Sequence, residues 1–347
     1  MEQMRSRRPS PIVSVLAVLA LAATAMLGAA CGESSSAGGR TPTDPQQAAP
    51  IAPASSVPAP IVASSIDPIG VGVTHMKLSD PSRRTGARGG RVASDSRELP
   101  LTIWYPSTGE PGDAEYVDAA PVGQWPLIVF AHGFEASAAT YAPLLRAVAA
   151  AGFVVVVPEF PLSSSTVDAA AVEGDEPEQA NDIGFIIDTL TAGDPLVPLS
   201  NAIEPGPVGV MGHSDGAQTA LLSGFAPRYR NERIGAVVAV SGRYSTFGGQ
   251  WFDTGRPALL VVQAADDELN PFRYGEELVR LNSGPASLVA VDGVTHLGAV
   301  TDPRAIGPVA ALVADTFAWR LRGSTTADDR LASDVLTAPL RLVASHG

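Results

Sequence analysis

A serine between two glycines is the clearest chemical signal in this sequence of 347 residues. Residues 212–216 read Gly-His-Ser-Asp-Gly, follow the apolar run Val208–Met211 and precede the helical stretch Ala217–Ser223. A nucleophile on a sharp strand-to-helix turn needs flanking glycines, because Cβ atoms would crowd the bend, and the helix N-terminus favours nearby negative charge. We predict that Ser214 is a nucleophile, with an ordinary glycine-rich turn as the alternative.

His296 is the best-placed of the five histidines to act as a base for Ser214. It follows the predicted strand Leu288–Val291, and sites of open α/β sheets assemble at the edge where the strands end. A surface loop histidine is the alternative. The other four are His75 in an early strand, His132 after another strand, His213 beside the serine and His346 next to the last residue.

The acid that would orient His296 has two candidates, Asp266 and Asp267, which follow the predicted strand Leu259–Val262. We prefer Asp267, because a proline four residues later, here Pro271, is typical of this loop. Its carboxylate would accept the imidazole N–H and stabilise the imidazolium. A solvated acidic turn or a weak cation site is the alternative.

The turn His132-Gly133-Phe134 follows the predicted strand Pro126–Ala131. A loop in this place supplies one donor of an oxyanion hole, and the residue after the nucleophile supplies the other. We therefore predict that the N–H groups of Phe134 and Asp215 form the hole, with a plain His-Gly turn as the alternative.

The elements that must position these residues alternate between strand and helix. Short apolar runs bounded by Gly and Pro indicate buried parallel strands, and apolar residues at helical spacing lie between them. This order predicts an α/β fold with a mostly parallel sheet and helices on both faces. The further predicted strands are Ile69–Leu78, Leu99–Tyr105, Phe153–Val157 and Ala236–Val240, and Val309–Leu321 is the predicted closing helix.

Residues 66–322 resemble the α/β-hydrolase superfamily. The opening Pro68–Gly72, the segment Leu99–Pro106, the His-Gly-Phe turn and Pro158–Pro161 are similar to the dienelactone-hydrolase and platelet-activating-factor-acetylhydrolase branch, which is related to bacterial polyester hydrolases and cutinase-like esterases. The resemblance implies a serine carboxylic-ester hydrolase that uses Ser214, His296 and Asp267 without cofactor or metal. A peptidase or amidase is the alternative, and so is a catalytically silent binding protein, since Asp215 puts a carboxylate beside the nucleophile.

The spacing of the site residues leaves little room for a cap domain. Ser214 and Asp267 are 53 positions apart, an interval that a helix, two strands and their connections already fill. An open cleft suits a small-molecule, lipid or polyester ester. The glycine-rich loop Ser241–Gly255 is predicted to wall the substrate pocket or to be a packed surface loop, and its aromatic residues are Tyr244, Phe247, Trp251 and Phe252.

The N-terminal segment is predicted to be an export signal. Basic residues, an apolar core and small residues before Cys31 are typical of a signal peptide of lipoprotein type over residues 1–31. Ordinary cleavage after Ala30 and an uncleaved anchor are the alternatives. A Ser/Ala/Pro-rich tether is predicted over 32–65 and a C-terminal tail over 323–347. A lipid on Cys31 would hold the protein on the outer side of the membrane, and without it the protein would be secreted.

Charge and cysteine content exclude several classes of protein. A formal net charge of −13 argues against a nucleic-acid partner, and a single cysteine excludes a disulfide framework and a thiolate zinc cluster. Five arginines between Arg83 and Arg97 indicate a solvated loop or a contact with anionic headgroups. We expect a monomer.

Overall fold

The computed structural model describes residues 69–112, 114–246, 251–252 and 257–347, and their strands form one ten-stranded sheet. Its order is β10-β9-β8-β7-β6-β4-β5-β2-β1-β3. The strands are β1 Gly70–Asp80, β2 Arg97–Ser107, β3 Glu115–Val117, β4 Leu127–Ala131, β5 Val154–Pro158, β6 Val208–His213, β7 Ile234–Val240, β8 Ala258–Ala264, β9 Ala286–Val291 and β10 Leu340–His346.

The centre of the sheet is parallel. Strands β5, β4, β6, β7, β8 and β9 pair in parallel, whereas β2 and β10 join this block antiparallel. Every residue of β4, β5 and β6 is buried, which is why these strands read as continuous apolar runs rather than as an alternation. Their carboxyl ends meet at one edge, which carries the predicted site residues.

Helices cover both faces of the sheet, so the predicted α/β fold with a mostly parallel sheet is confirmed. Helices α1 and α6 pack on one face, and α2, α3 and α4 pack on the other. No helix of the described residues is long and apolar enough to cross a membrane. The helices are α1 Ala138–Ala150, α2 Glu176–Thr191, α3 Asp215–Phe225, α4 Arg273–Leu281, α5 Gly298–Thr301, α6 Pro303–Arg322 and α7 Thr325–Asp334, with a 3₁₀ turn at Ser200–Ala202.

Between the predicted nucleophile and acid, the described residues form only α3, β7, β8 and their connections. No inserted domain covers the sheet edge within this part of the chain, as expected from the spacing. The edge is therefore walled by the loops that follow the strands.

The segment after Gly323 belongs to the sheet rather than to a separate tail. It forms α7 and then β10, which pairs antiparallel with β9 from Leu340 opposite Val291 to His346 opposite Ala286. Only Leu340 of this strand is buried, so the sequence shows no alternation of buried and exposed residues there. The fold thus extends beyond the boundary predicted at residue 322, because β9 supplies backbone partners that no local pattern indicates.

Two of the five arginines between Arg83 and Arg97 enter a buried ion network, whereas Arg84 and Arg88 are exposed in the connection between β1 and β2, as predicted for a solvated loop. Arg97, only 1% exposed, places Nη2 2.6 Å from Asp175 Oδ2 and Nε 2.7 Å from Asp182 Oδ1. Arg83 Nη2 lies 2.7 Å from the same Asp182 oxygen. Although burial opposes its charge, Asp182 and Asp175 raise the pKa of Arg97 above its ordinary value. The network joins α2 to the start of β2.

Replacing Arg97 with alanine is expected to destabilise the fold by about 3–5 kcal/mol, because it leaves Asp175 buried without its cation. Chemical denaturation measures the loss. Arg84 pairs with Asp95 at the surface, where both side chains are mostly exposed, so Arg84→Ala should cost less than about 1 kcal/mol. Equal losses in the two variants would contradict this account of α2.

Asp334, at the contact between α6 and α7, is expected to make the stability of the fold depend on pH. Burial and then the charge of Asp315 raise the pKa of Asp334 to about 7, and Arg330 pairs with Asp315. Since the folded protein holds this proton more tightly than the unfolded chain, stability falls as pH rises from about 4 to about 7. Asp334→Asn should gain about 1 kcal/mol at pH 8 and little at pH 4. Thermal unfolding of this variant and of the exposed control Asp329→Asn checks it, and an equal gain at both pH values would contradict it.

Candidate active site

Ser214 lies on a strained turn between β6 and α3. Its backbone has φ 57° and ψ −122°, a combination that residues with a side chain rarely adopt. The turn closes only with glycine at two positions. A Cβ on Gly212 would lie 2.0 Å from the Gly216 carbonyl oxygen, and one on Gly216 would lie 2.0 Å from the Ala131 carbonyl oxygen. The structure thus gives the Gly-x-Ser-x-Gly segment the strand-turn-helix form in which a serine hydroxyl is presented at the sheet edge.

The structure brings His296 and Asp267 together. The Nδ1 atom of His296 lies 2.9 Å from both carboxylate oxygens of Asp267, and both side chains are buried. Burial would raise the pKa of Asp267, but the bonds from His296 and from the Asn270 N–H outweigh it and hold this pKa below its ordinary value. Asp266 is exposed beside them. Of the two acids, only Asp267 is therefore placed to orient the imidazole.

Two further bonds hold these loops. Gln263 Nε2 donates to Asp267 Oδ2 at 3.0 Å, and the backbone N–H of His296 donates to Glu268 Oε2 at 2.9 Å. The acid loop therefore holds both the ring and the main chain of the histidine.

His213, the residue before Ser214, contacts His296. The rings of the two histidines have centroids 4.7 Å apart, and His213 Nε2 lies 3.1 Å from the His296 carbonyl oxygen. These contacts place the loop of the base beside the elbow that carries the nucleophile. No direct hydrogen bond between Ser214 and His296 is found among the described residues, and bonds between nucleophile and base are commonly long without substrate and shorten in the complex.

The predicted oxyanion donors lie on either side of Ser214. A Cβ on Gly133 would come within 3.2 Å of Ser214 Cβ, so this loop passes directly over the nucleophile. Asp215 is the first residue of α3, where an N–H lacks an intrahelical acceptor. The Phe134 N–H likewise has no acceptor among the described residues. Two free N–H groups beside a serine hydroxyl are what a tetrahedral oxyanion needs.

A family model described as Chlorophyllase matches residues 115–241, a range that includes the Phe134 loop and Ser214 and ends before Asp267 and His296. A ferulic acid esterase from Streptomyces cinnamoneus, at 20% identity, superposes with a TM-score of 0.60 over 76% of this chain and 93% of that chain. The chain has the fold of the α/β hydrolases and is similar to esterases of that superfamily. A search of curated proteins found no match. Since 1042 chains of solved structures match, the fold alone does not identify the substrate.

The loop after β5 of the hydrolase supports the oxyanion loop. His132 Nδ1 lies 2.8 Å from the Gly133 carbonyl oxygen, and its Nε2 accepts the Phe160 N–H at 3.1 Å. The first contact needs a proton on Nδ1 and the second needs a lone pair on Nε2, so the ring is neutral. Burial lowers the pKa of His132, which agrees with this tautomer. Glu159 Oε1 accepts the Ala138 N–H at the start of α1. The turn that carries Phe134 is thus held from two sides.

Asp215, the acid beside the nucleophile, turns back along α3. Its Oδ1 accepts a hydrogen bond from Gln218 Nε2 at 3.2 Å. Burial raises the pKa of Asp215 above its ordinary value, against the lowering effect of Arg243. Burial also raises the pKa of the neighbouring Glu176, to about 6. In the hydrolase the Asp215 carboxylate is engaged by its own helix, while its backbone N–H lies at the elbow.

Two of the aromatic residues predicted to wall the substrate pocket are buried in the core. Trp251 and Phe252 are 3% and 2% exposed and pack with Tyr244 and Phe225 in the core of the hydrolase. For these two residues the structure shows the packed loop, because their rings bury more apolar surface in the core than at a pocket rim. Phe247 lies outside the described residues, as do Cys31, the predicted signal peptide and the tether.

The sequence alone does not indicate the residues that support the loops of the site through hydrogen bonds. Gln263, Glu268 and Asn270 have no sequence signal of their own, and Tyr141 is one of the apolar residues at helical spacing that predict a helix after β4. His213 neighbours the serine and therefore is not predicted to be its base. Its position immediately before the nucleophile was the one signal that it could contact the site.

Proposed function

We propose that this hydrolase is an exported serine carboxylic-ester hydrolase. The observation that carries the proposal is the Ser214 elbow beside a buried His296–Asp267 pair joined at 2.9 Å. The similarity to the Chlorophyllase family model and to a ferulic acid esterase supports the same chemistry.

The reaction follows from the roles of these groups. His296 Nε2 removes the Ser214 hydroxyl proton as Oγ attacks the ester carbonyl, and the Phe134 and Asp215 N–H groups bind the oxyanion that forms. The C–O bond then breaks, and the imidazolium returns the proton to the leaving alcohol. Water, deprotonated by His296, attacks the acyl-enzyme and releases the carboxylic acid and free Ser214.

The substrate class that suits the uncapped sheet edge is a small-molecule, lipid or polyester ester. Exposed Leu269 and Leu297, at 66% and 44%, follow the acid and the base closely in the chain and give the rim apolar surface. The names of the similar proteins add two test esters, a feruloyl ester and chlorophyll itself. A panel of p-nitrophenyl esters of rising acyl length, a phospholipid, a polyester film and these two esters ranks the substrates by kcat/KM.

Labelling with a fluorophosphonate tests the chemistry. We expect one covalent adduct, located on Ser214 by peptide mass spectrometry, and a burst of p-nitrophenol with activated esters. Labelling of another residue overturns the assignment of Ser214. Reaction with amide substrates at the rate of esters favours the peptidase or amidase alternative, and absence of both burst and adduct favours a silent binding protein.

Export and lipidation are part of the same proposal. Cys31 is the lone cysteine and follows the apolar segment at the place of a lipidation site. Expressed in a bacterial host with a palmitate analogue, the full chain should take up label and sediment with membranes, while Cys31→Ser should take up none. Unlabelled wild-type protein in the medium would show secretion without an anchor.

A further inference from the structure

A buried chain of hydrogen bonds connects the oxyanion loop with the main chain of His296. The Gly133 N–H lies 3.0 Å from Tyr141 Oη, which lies 3.1 Å from His213 Nδ1. His213 Nε2 lies 3.1 Å from the His296 carbonyl oxygen. Tyr141 and His213 are 0% and 2% exposed, so water does not compete for these bonds.

The direction of every bond in this chain is determined. The His296 carbonyl only accepts, so His213 Nε2 carries a proton and donates it to that carbonyl. In a neutral ring Nδ1 then has a lone pair, so Tyr141 Oη donates its single proton to His213 Nδ1 and accepts the Gly133 N–H. Burial, and then the nearby His296, lower the pKa of His213 to about 3, which keeps the ring neutral and in this one tautomer.

The chain of hydrogen bonds contacts two loops of the site, the oxyanion loop and the loop that carries His296. At one end it fixes the peptide next to Phe134, whose N–H is a proposed oxyanion donor. At the other end it holds the carbonyl of His296, whose N–H is already bound by Glu268 Oε2. The rings of His213 and His296, tilted by 45° with centroids 4.7 Å apart, add a third contact.

We propose that Tyr141 and His213 are positioning residues, which hold the oxyanion loop and the base in register with Ser214. The inference rests on the proposed function, since it concerns the same reaction. Neither side chain touches the substrate in this scheme. A misplacement of about 1 Å can cost about 10²-fold in rate, so the bonds are expected to affect kcat more than KM.

The test compares two isosteric substitutions. Tyr141→Phe keeps the ring against Phe130, whose centroid is 4.7 Å away, and removes only the hydroxyl. Tyr105→Phe is the matched control, because Tyr105 is 2% exposed and donates to the Ala119 carbonyl at 2.8 Å, in a bond that does not reach the site. We expect Tyr141→Phe to lower kcat by about 10–100-fold with KM within about twofold. Tyr105→Phe should change Tm by an amount similar to that of Tyr141→Phe and should leave kcat unchanged. Equal effects of the two variants on kcat would overturn the proposal.

His213 variants test whether the two residues act as one unit. His213→Phe keeps a ring and loses both bonds, whereas His213→Gln retains an N–H group for the His296 carbonyl. We expect His213→Gln to recover part of the kcat that His213→Phe loses. The double variant of Tyr141→Phe and His213→Phe should lose no more than His213→Phe alone, and losses that multiply would overturn the single unit.

A readout without hydrolysis separates this inference from the proposed function. Nitrogen-15 NMR of histidine should show His213 neutral and protonated at Nε2 from pH 5 to 8. In Tyr141→Phe its Nδ1 loses the donor, so the Nδ1 signal is expected to shift while Nε2, bonded to the His296 carbonyl, stays protonated. A protein that hydrolyses no ester but shows this tautomer refutes the function and keeps the hydrogen-bond chain. A titrating or Nδ1-protonated His213 in an active esterase overturns the chain alone.

Discussion

Ser214→Ala is expected to lower kcat for ester hydrolysis by about 10⁵–10⁶-fold, the usual cost of losing the nucleophile of a serine hydrolase. Without Oγ no acyl-enzyme forms, and only the oxyanion donors and substrate binding remain to accelerate attack by water. The fold should tolerate the change. Ser214 is the N-cap of α3, yet its side chain makes no capping bond, and alanine meets the same strain at φ 57°.

The measurement is steady-state hydrolysis of a short p-nitrophenyl ester, with Tm taken on the same samples. Ser333→Ala, an exposed serine of α7, is the control and should keep full activity. A Ser214→Ala variant that retains more than about one-tenth of the wild-type kcat would refute the serine mechanism. It would leave the fold assignment intact, because the sheet topology does not depend on this hydroxyl.

Asp267→Asn is expected to lower kcat by about 10⁴-fold. An amide in place of the carboxylate offers an N–H toward His296 Nδ1, so the imidazole moves its proton to Nε2 and has no lone pair left for Ser214. The amide oxygen can still accept hydrogen bonds from the N–H groups of Leu269 and Asn270, which lie 3.0 Å and 2.7 Å from Asp267 Oδ1. We therefore expect a large loss of rate, with stability lowered only by the loss of the bond from Gln263 Nε2 to Oδ2.

Asp266→Asn is the matched control, because the two acids are neighbours and only Asp267 contacts the imidazole. Its kcat should stay within about twofold of wild type, since an exposed charge is screened by solvent. A comparison of both variants over pH 5 to 9 separates the roles. If Asp266→Asn were the impaired variant, the orientation of His296 would have to change in the substrate complex.

Local pattern was sufficient for most of the central sheet. Predicted strands such as Phe153–Val157 and Leu259–Val262 differ from the observed ones by a residue or two at their ends, because buried parallel strands need continuous apolar runs. Strand β3 has three residues and β10 buries only its first, so neither leaves such a run. Both form because an existing strand offers its free edge.

The sequence by itself determined the elbow, the order of Ser214, Asp267 and His296 along the chain, and the placement of each after a strand. Those features are local, since glycines, apolar runs and loop prolines act within a few residues of the side chain that they position. Only the tertiary structure decided that Asp267 and not Asp266 meets the imidazole, and that Arg97 is buried in an ion network.

The tertiary structure alone also joined Tyr141 to His213 and His213 to the main chain of His296. These partners are 72 and 83 positions apart, and they meet because the parallel strands bring their carboxyl ends to one edge. Hydrogen bonds between such distant residues depend on the register of the sheet and on the packing of α1 against it. No local spacing encodes either of them.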